Sequence, residues 1–393
     1  MSEEVKVKTT TLNFGPQHPS SHGVLRMVLE LDGELVKRVE PHIGQLHRGT
    51  EKLIEHKTYT QNIPFFDRLD YVSPINYEHA WVLAAEKLLQ LEIPERAKYI
   101  RVLFLELSRI SRHLFGLGAQ AMDAGAMTPM IWGFESREQI MEFFEATTGA
   151  RLHLNYFRVG GVAIDLPKGL LEKIDKWTYE FEKDFKDAMD LVVNNRIFKQ
   201  RSVDIGKIDK NQALDFGFTG PNLRASGIAW DLRKTQPYEI YSKLDFDIVV
   251  GTHGDAYDRF LVRIGEVKES LKIIRQCILH MPEGLCQVDN YKFTAPKRAS
   301  MKESMESLIH HFKFFSEGFA VPKGEVYMPV ETPTGEFGVY LVSQGGTKPY
   351  RAKLRSNGLA HLQAIKQIGV GYQLSDLPSI LGSFDVVFGE IDR

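Results

Sequence analysis

Arg101-Val-Leu-Phe-Leu-Glu-Leu-Ser-Arg-Ile-Ser-Arg-His-Leu-Phe-Gly-Leu117 decides the fold class. Leu103, Leu107, Ile110, Leu114 and Leu117 recur at the three- and four-residue spacing that lines one face of an α-helix. Arg101, Ser108, Arg109 and Arg112 fall on the opposite face, so the spacing predicts a long amphipathic helix with its arginines turned the other way. Pro94 fits a first-turn position for it.

Two more long stripes follow. Leu170, Ile174, Trp177, Phe181 and Phe185 form one, and Phe260, Ile264, Val267, Leu271, Ile274 and Ile278 form the other. Both are expected core faces. Between them, 201–250 is rich in Gly, Pro and Asp with only short strand-like runs, and it is expected to be a long irregular connection.

Outside the helical stretch the periodicity changes to two. Residues 9–39 alternate, and Asp32-Gly33 separates two strand-like runs, a type I′ hairpin signal. A second hairpin is expected around Thr332-Pro-Thr-Gly335, between Gly324-Glu-Val-Tyr-Met and Phe337-Gly-Val-Tyr-Leu-Val-Ser. Ser300 with Glu303 has capping-box spacing for a shorter helix ending near His310 and His311. The expected class is α+β: a mainly helical, long-helix core with a small N-terminal antiparallel sheet and a C-terminal β-hairpin region. The regions are 1–66, small α+β; 67–319, helical core carrying the irregular 201–250 insertion; and 320–393, hairpin and tail packing on the core.

Bulk composition narrows the function classes. With 49 Lys and Arg against 51 acids the net charge is -2, and nucleic acid is not an expected partner. The 2 cysteines, Cys277 and Cys286, cannot build a disulfide framework or a four-cysteine metal site, and a reducing compartment fits best. Met1-Ser-Glu-Glu-Val-Lys6 lacks signal or transit character, so export or import is not expected. No window approaches the apolar length of a membrane-spanning helix. A membrane-soluble substrate would therefore require a partner that holds the chain at the membrane. No Gly-x-Gly-x-x-Gly or phosphate loop is present, so the chain itself should not bind a nicotinamide cofactor.

Five residues stand out chemically. Gly15-Pro-Gln-His-Pro-Ser-Ser-His-Gly23 cannot be regular helix. Its histidines could bind metal, cap a turn, or let one imidazole, such as that of His22, donate a hydrogen bond or proton to a substrate. Asp123 lies among small apolar residues, where a carboxylate needs a partner or a proton. Histidine is a natural partner, and a helix-end cap is the alternative. Tyr71, in Arg68-Leu-Asp-Tyr-Val-Ser73, could present its hydroxyl to a pocket or simply pack. His153, between leucines, could equally satisfy a backbone group in a core.

Several motifs in one order carry a resemblance. Gly15-Pro-Gln-His-Pro-Ser-Ser-His-Gly-Val-Leu-Arg26, His47-Arg-Gly-Thr-Glu-Lys52 and Gly389-Glu-Ile-Asp-Arg393 resemble the 49 kDa-type subunit, or D subunit, of respiratory complex I, from about Thr10 to Arg393. That family is related to the nickel–iron hydrogenase large subunit, and the resemblance implies its helical fold. The hydrogenase cysteine-ligand positions fall on Asp70 and Ser73, then on Val387 and Glu390, which cannot replace four thiolates around a soft metal centre. Thr332-Pro-Thr-Gly335 also stands where hydrogenases have Ala-Pro-Arg-Gly.

The resemblance implies a quinone chamber shared with a B-type partner subunit carrying the terminal 4Fe-4S cluster, within a proton-translocating NADH:quinone oxidoreductase. His22 and Tyr71 are the implied hydrogen-bond partners of the quinone head group, Asp123 pairs with the histidine, and Arg68 and His153 lie against the partner's cluster. No metal or cofactor is expected on this chain alone; FMN and further iron–sulfur clusters belong elsewhere in the complex. Further implied partners are a C-type protein of the same complex, a membrane-arm subunit at the quinone entrance and other complex I subunits. The implied location is peripheral, on the cytoplasmic face of a bacterial inner membrane. Two alternatives share the resemblance: the same role in a complex fed by ferredoxin or another donor, and a purely structural scaffold.

Overall fold

The computed structural model describes residues 9–21 and 23–393. The Met1–Lys6 stretch and His22 lie outside the described residues.

The N-terminal sheet has strands β1 (Thr10–Phe14), β2 (Arg26–Asp32) and β3 (Leu35–His42), antiparallel in that order. Met27, Leu29 and Leu31 of β2 point to one buried face, as a period of two requires. The expected hairpin forms with a different turn from the one read. Asp32 pairs with Leu35, so the loop is Gly33-Glu34, and only Gly33 has positive φ (63°), whereas type I′ needs both.

Helices α1 (Thr50–Ile54), α2 (Tyr59–Asp67) and α3 (Pro74–Leu89) lead into α4 (Glu95–Asp123), the long helix decided by the 101–117 stretch. Helix α5 (Thr128–Thr148), the short strands β4 (Phe157–Arg158) and β5 (Gly161–Val162), and α6 (Leu170–Val193) follow. The 201–250 region is built of short helices rather than strand-like runs: after α7 (Arg196–Gln200) come α8 (Lys210–Asp215), α9 (Gly220–Ala225) and α10 (Leu232–Thr235). Helix α11 (Ala256–Leu279) packs along α4. The apolar stripes of α4, α6 and α11 are buried together as read.

The arginine face of α4, turned away from the apolar stripe, is itself interior. Arg101, Arg109 and Arg112 are buried, because α4 is surrounded and its second face meets carboxylates instead of water. Arg101 bonds Glu86 (2.6 Å) and Glu239 (2.8 Å), and Arg109 lies 3.3 Å from Glu106.

Helices α12 (Arg298–Glu303) and α13 (Met305–Ser316) replace the single capped helix expected there; the cap is Ser304, whose side chain accepts from the Ser307 N–H. The second expected hairpin forms, β6 (Gly324–Thr332) with β7 (Gly335–Ser343), and gains a third strand, β8 (Arg351–Arg355). Helices α14 (Asn357–Ile368), α15 (Leu377–Phe384) and α16 (Phe388–Asp392) close the chain. Ile365, Leu377, Ile380 and Phe384 pack with Leu29, Val36 and Val39 of the first sheet in a second core. The α+β class read from the sequence holds. No helix among the described residues is long and apolar enough to cross a membrane.

Two of the distant motifs meet directly. The Asp392 carboxylate accepts from the Gly44 (2.9 Å) and Leu46 (2.7 Å) backbone N–H groups, and His47 Nδ1 lies 2.6 Å from the Asp392 carbonyl oxygen.

Candidate functional site

Arg112 and Asp123, eleven residues apart on α4 and so about 16 Å along its axis, tie the candidate segments together. Arg112 Nη2 lies 2.8 Å from Asp385 Oδ1 and also donates to the Asp385 carbonyl, while its Nε is 3.6 Å from Asp70 Oδ2. Asp70 in turn accepts from the Val72 N–H (2.9 Å), the Ser73 N–H (3.3 Å) and the Ser73 hydroxyl (2.7 Å). That side-chain turn fixes the backbone around Tyr71. Tyr71 is left 42% exposed. Partial burial raises the Tyr71 pKa and Asp70 adds to it, against Arg112, so the phenol is a hydrogen-bond donor at neutral pH.

Asp123 ends α4, where the negative end of the helix dipole disfavours a carboxylate. Its Oδ1 accepts from the Ser20 hydroxyl at 3.2 Å, and its Oδ2 lies so close over Gly382 that a Cβ there would sit 2.5 Å away. Burial pushes its pKa up to about 6, with the Ser20 bond opposing. Ser20 belongs to a 3-10 turn, Pro19–Ser21, inside the histidine loop. Gly15 (φ 79°) passes so near the Leu25 carbonyl that a Cβ would collide with it, so the crossing requires glycine. For His18 the turn-capping reading matches the geometry: its Nδ1 accepts from the Ser20 N–H at 3.2 Å and its ring lies on Phe14, 4.1 Å between centroids. The loop is thereby brought to Asp123, whereas the His22 side of the expected pair lies outside the described residues.

Arg68 and His153 are neighbours on another face. Arg68 donates to the Pro64 carbonyl at 2.9 Å, and Arg48 donates to the Arg68 carbonyl at 2.7 Å. Burial, then Arg68, lowers the His153 pKa, and its Nδ1 has no hydrogen-bond partner. The result is a cationic face with a neutral imidazole beside it.

Asp70, Ser73 and Glu390 carry oxygen groups, and the segments holding them converge. A Cβ on Gly389 would lie 2.5 Å from the Leu69 carbonyl, which sets α16 against the Asp70 turn. The buried Glu390 accepts from the Tyr77 hydroxyl (2.6 Å) and the Gly358 N–H (3.2 Å), and burial raises its pKa to about 8. Thr334 and Asn357 complete this oxygen-rich cluster. Among the described residues no group of three or more His, Cys, Asp or Glu is arranged to hold a metal ion.

Residues 123–393 match the family described as respiratory-chain NADH dehydrogenase, 49 Kd subunit. Over 393 residues, all of both chains, the sequence is 59% identical to the D subunit of NADH-quinone oxidoreductase from Ehrlichia canis (strain Jake). It is 60% identical over 390 residues to the protein of that name from Paramagnetospirillum magneticum, covering 99% of this chain and 100% of the relative. The one from Wolbachia pipientis subsp. Culex pipiens is 59% identical over 387 residues, 98% and 99% of the two chains. The chain belongs to this family.

The geometry adds groups to the 49 kDa-subunit site that periodicity did not single out. Arg112 reads in the sequence only as one of several arginines turned away from the apolar stripe, and it joins the Asp70 turn to the end of α15. Arg137 of α5 lies over the Phe134 ring, 5.6 Å from its centroid, with its pKa lowered by burial and by Arg112. Nothing in the spacing of Ser20 marked it as the hydroxyl bound to Asp123.

Proposed function

We propose that this chain is the quinone-site subunit of a proton-translocating NADH:quinone oxidoreductase, its chamber completed by the partner subunit that carries the terminal 4Fe-4S cluster. The observation that carries the reading is the arrangement along α4. Arg112 braces a turn that leaves Tyr71 exposed, and the C-terminal end presents Asp123 to the loop containing His22. The relatives' shared name, which makes each the D subunit of an NADH-quinone oxidoreductase, supports it.

In this reading the partner's cluster supplies electrons, and this chain binds the quinone head group and supplies protons. Tyr71 and His22 hydrogen-bond the two carbonyls and donate the protons that reduction requires. Asp123, ionised above about pH 6, keeps His22 cationic. When His22 gives up its proton, Asp123 loses its counter-charge in a poorly solvated site, and that charge change starts the coupling to proton pumping in the membrane arm. Arg68 and His153 face the partner's cluster, where the positive field tunes its potential. A membrane-arm subunit holds the chain at the cytoplasmic face of the membrane.

The test is Tyr71→Phe and His22→Ala in the assembled enzyme, with quinone reduction measured beside ferricyanide reduction at the flavin. Quinone turnover is expected to fall while ferricyanide reduction stays. Wild-type quinone turnover in both variants would overturn the assignment and leave the scaffold role.

A further inference from the structure

Asp67 ends α2 and Glu78 sits in the second turn of α3; both side chains are fully buried. Glu78 Oε2 accepts two backbone hydrogen bonds, from the Tyr156 and Phe157 N–H groups, each 3.0 Å. Glu78 Oε1 and both oxygens of Asp67 have no hydrogen-bond partner. The two carboxyl groups face each other within hydrogen-bonding range. Two ionised carboxylates cannot persist in contact in a dry site, and three unsatisfied carboxyl oxygens together are equally unfavourable. One proton resolves both conditions: it neutralises one acid and makes it a donor to the other. The paired N–H groups already hold Glu78 as an acceptor, so the proton belongs on Asp67.

We propose that Asp67 and Glu78 form a buried acid pair holding a single proton, with Asp67 as donor and Glu78 as acceptor, and that this pair positions Arg68 and His153. Asp67 immediately precedes Arg68, and the N–H groups gripped by Glu78 follow His153 by three and four residues. The pair therefore fastens the segment carrying one candidate residue to the segment carrying the other.

The surrounding charges do not supply a direct bond in place of the proton. Arg68 comes only to 4.0 Å of Asp67, and Arg158, which faces both acids, spends its Nη1 on Asn155 Oδ1 at 2.8 Å. The Asn155 backbone N–H also faces Asp67, while His153 meets the Asp67 backbone and is faced by Arg68 and Arg48. Burial and Glu78 outweigh these and push Asp67 up to about 11. The proton assignment stands apart from the proposed function; only the consequence for cluster-facing residues rests on that reading.

Infrared spectroscopy of the full chain tests the proton. The wild type should show a protonated-carboxyl C=O stretch that persists from about pH 6 to about pH 10, well beyond an ordinary aspartate. Glu390, at about 8, contributes a separate band that fades inside that window. The persistent band should vanish in Asp67→Asn; its survival there, or its absence from the wild type, overturns the pair. Positioning is tested in the assembled complex by rescue. Asp67→Asn, whose amide can still donate to Glu78, should retain quinone reduction, whereas Asp67→Ala should lose about tenfold. Equal turnover in the two variants overturns the positioning role. If Arg68→Met and His153→Ala leave quinone turnover unchanged, the cluster-facing reading fails while the infrared result stands.

Discussion

Helix α4 has two differently furnished stretches. Along its N-terminal two-thirds every buried charge meets another: Arg101 with Glu86 and Glu239, and Glu106 with Arg233 at 3.2 Å, Tyr241 at 2.6 Å and Ser270 at 2.7 Å. Glu266, on the facing α11, is shared by Arg224 at 2.5 Å and His113 at 2.8 Å. Toward its C-terminal end the compensation thins out. Asp123 has one hydroxyl, and Arg137 has no carboxylate within 4.0 Å among the described residues. A network whose buried charges compensate one another holds the fold together. The thin end has donors and an acid that remain open to an incoming polar group.

Substitutions should separate the two ends, beginning with the largest effect. Arg101→Ala strips Glu86 and Glu239 of their cation, and urea unfolding of the full chain should show a loss of about 3–5 kcal/mol. A loss below about 1 kcal/mol would mean that the network is not holding the fold. Tyr71→Phe should reverse the pattern. Stability should stay within about 0.5 kcal/mol, while quinone turnover in the complex drops about 100-fold, the size of a lost proton donor.

Asp123→Asn is expected to separate stability from function. Its folded pKa of about 6 lies above the ordinary aspartate value of 3.8, so the folded state holds the proton more tightly. Stability therefore falls as pH rises from about 4 to about 6 and stays lower above that. The asparagine variant should lose this dependence and gain at most about 3 kcal/mol at neutral pH, while quinone turnover declines. Thermal unfolding across the pH range checks it; an unchanged pH dependence would contradict a buried, titrating Asp123. The smallest effect is expected from Gly382→Ala. Its methyl displaces only the end of the Asp123 side chain, so stability should change by less than about 1 kcal/mol. The apparent KM for quinone should still rise as the Ser20 bond is lost.

Much of the frame was legible because it is written in short-range periodicity. The stripes of α4, α6 and α11 and the alternation of β2, β6 and β7 each repeat within a few residues, and they fold as read. What escaped depends on partners far along the chain. The arginines of α4 are spaced like a solvated face, and only Glu86, Glu239 and Asp385, brought in by tertiary packing, show that the face is interior. Strand β8 was invisible because Arg351-Ala-Lys-Leu-Arg355 is short and charged; it pairs because β7 already offers an edge. The helices between 210 and 235 are four to six residues long, too short for a 3.6-residue period to register. For the site, Tyr71 and Asp123 stood out by residue type in an unexpected setting, whereas Ser20, Arg112 and the Asp67–Glu78 pair have ordinary local sequence.

The seams between distant segments also have a consequence in time. Glu390 bonds Tyr77 across 313 positions, and the Asp392 carbonyl meets His47 across 345. On a ribosome, the turn bearing Tyr71 emerges hundreds of residues before α16, which packs against it. Contacts of such long sequence separation form late and slowly. The sheet and the early helices must therefore wait with this corner unfinished, a natural window for a chaperone or another protein of the complex to engage it before synthesis ends.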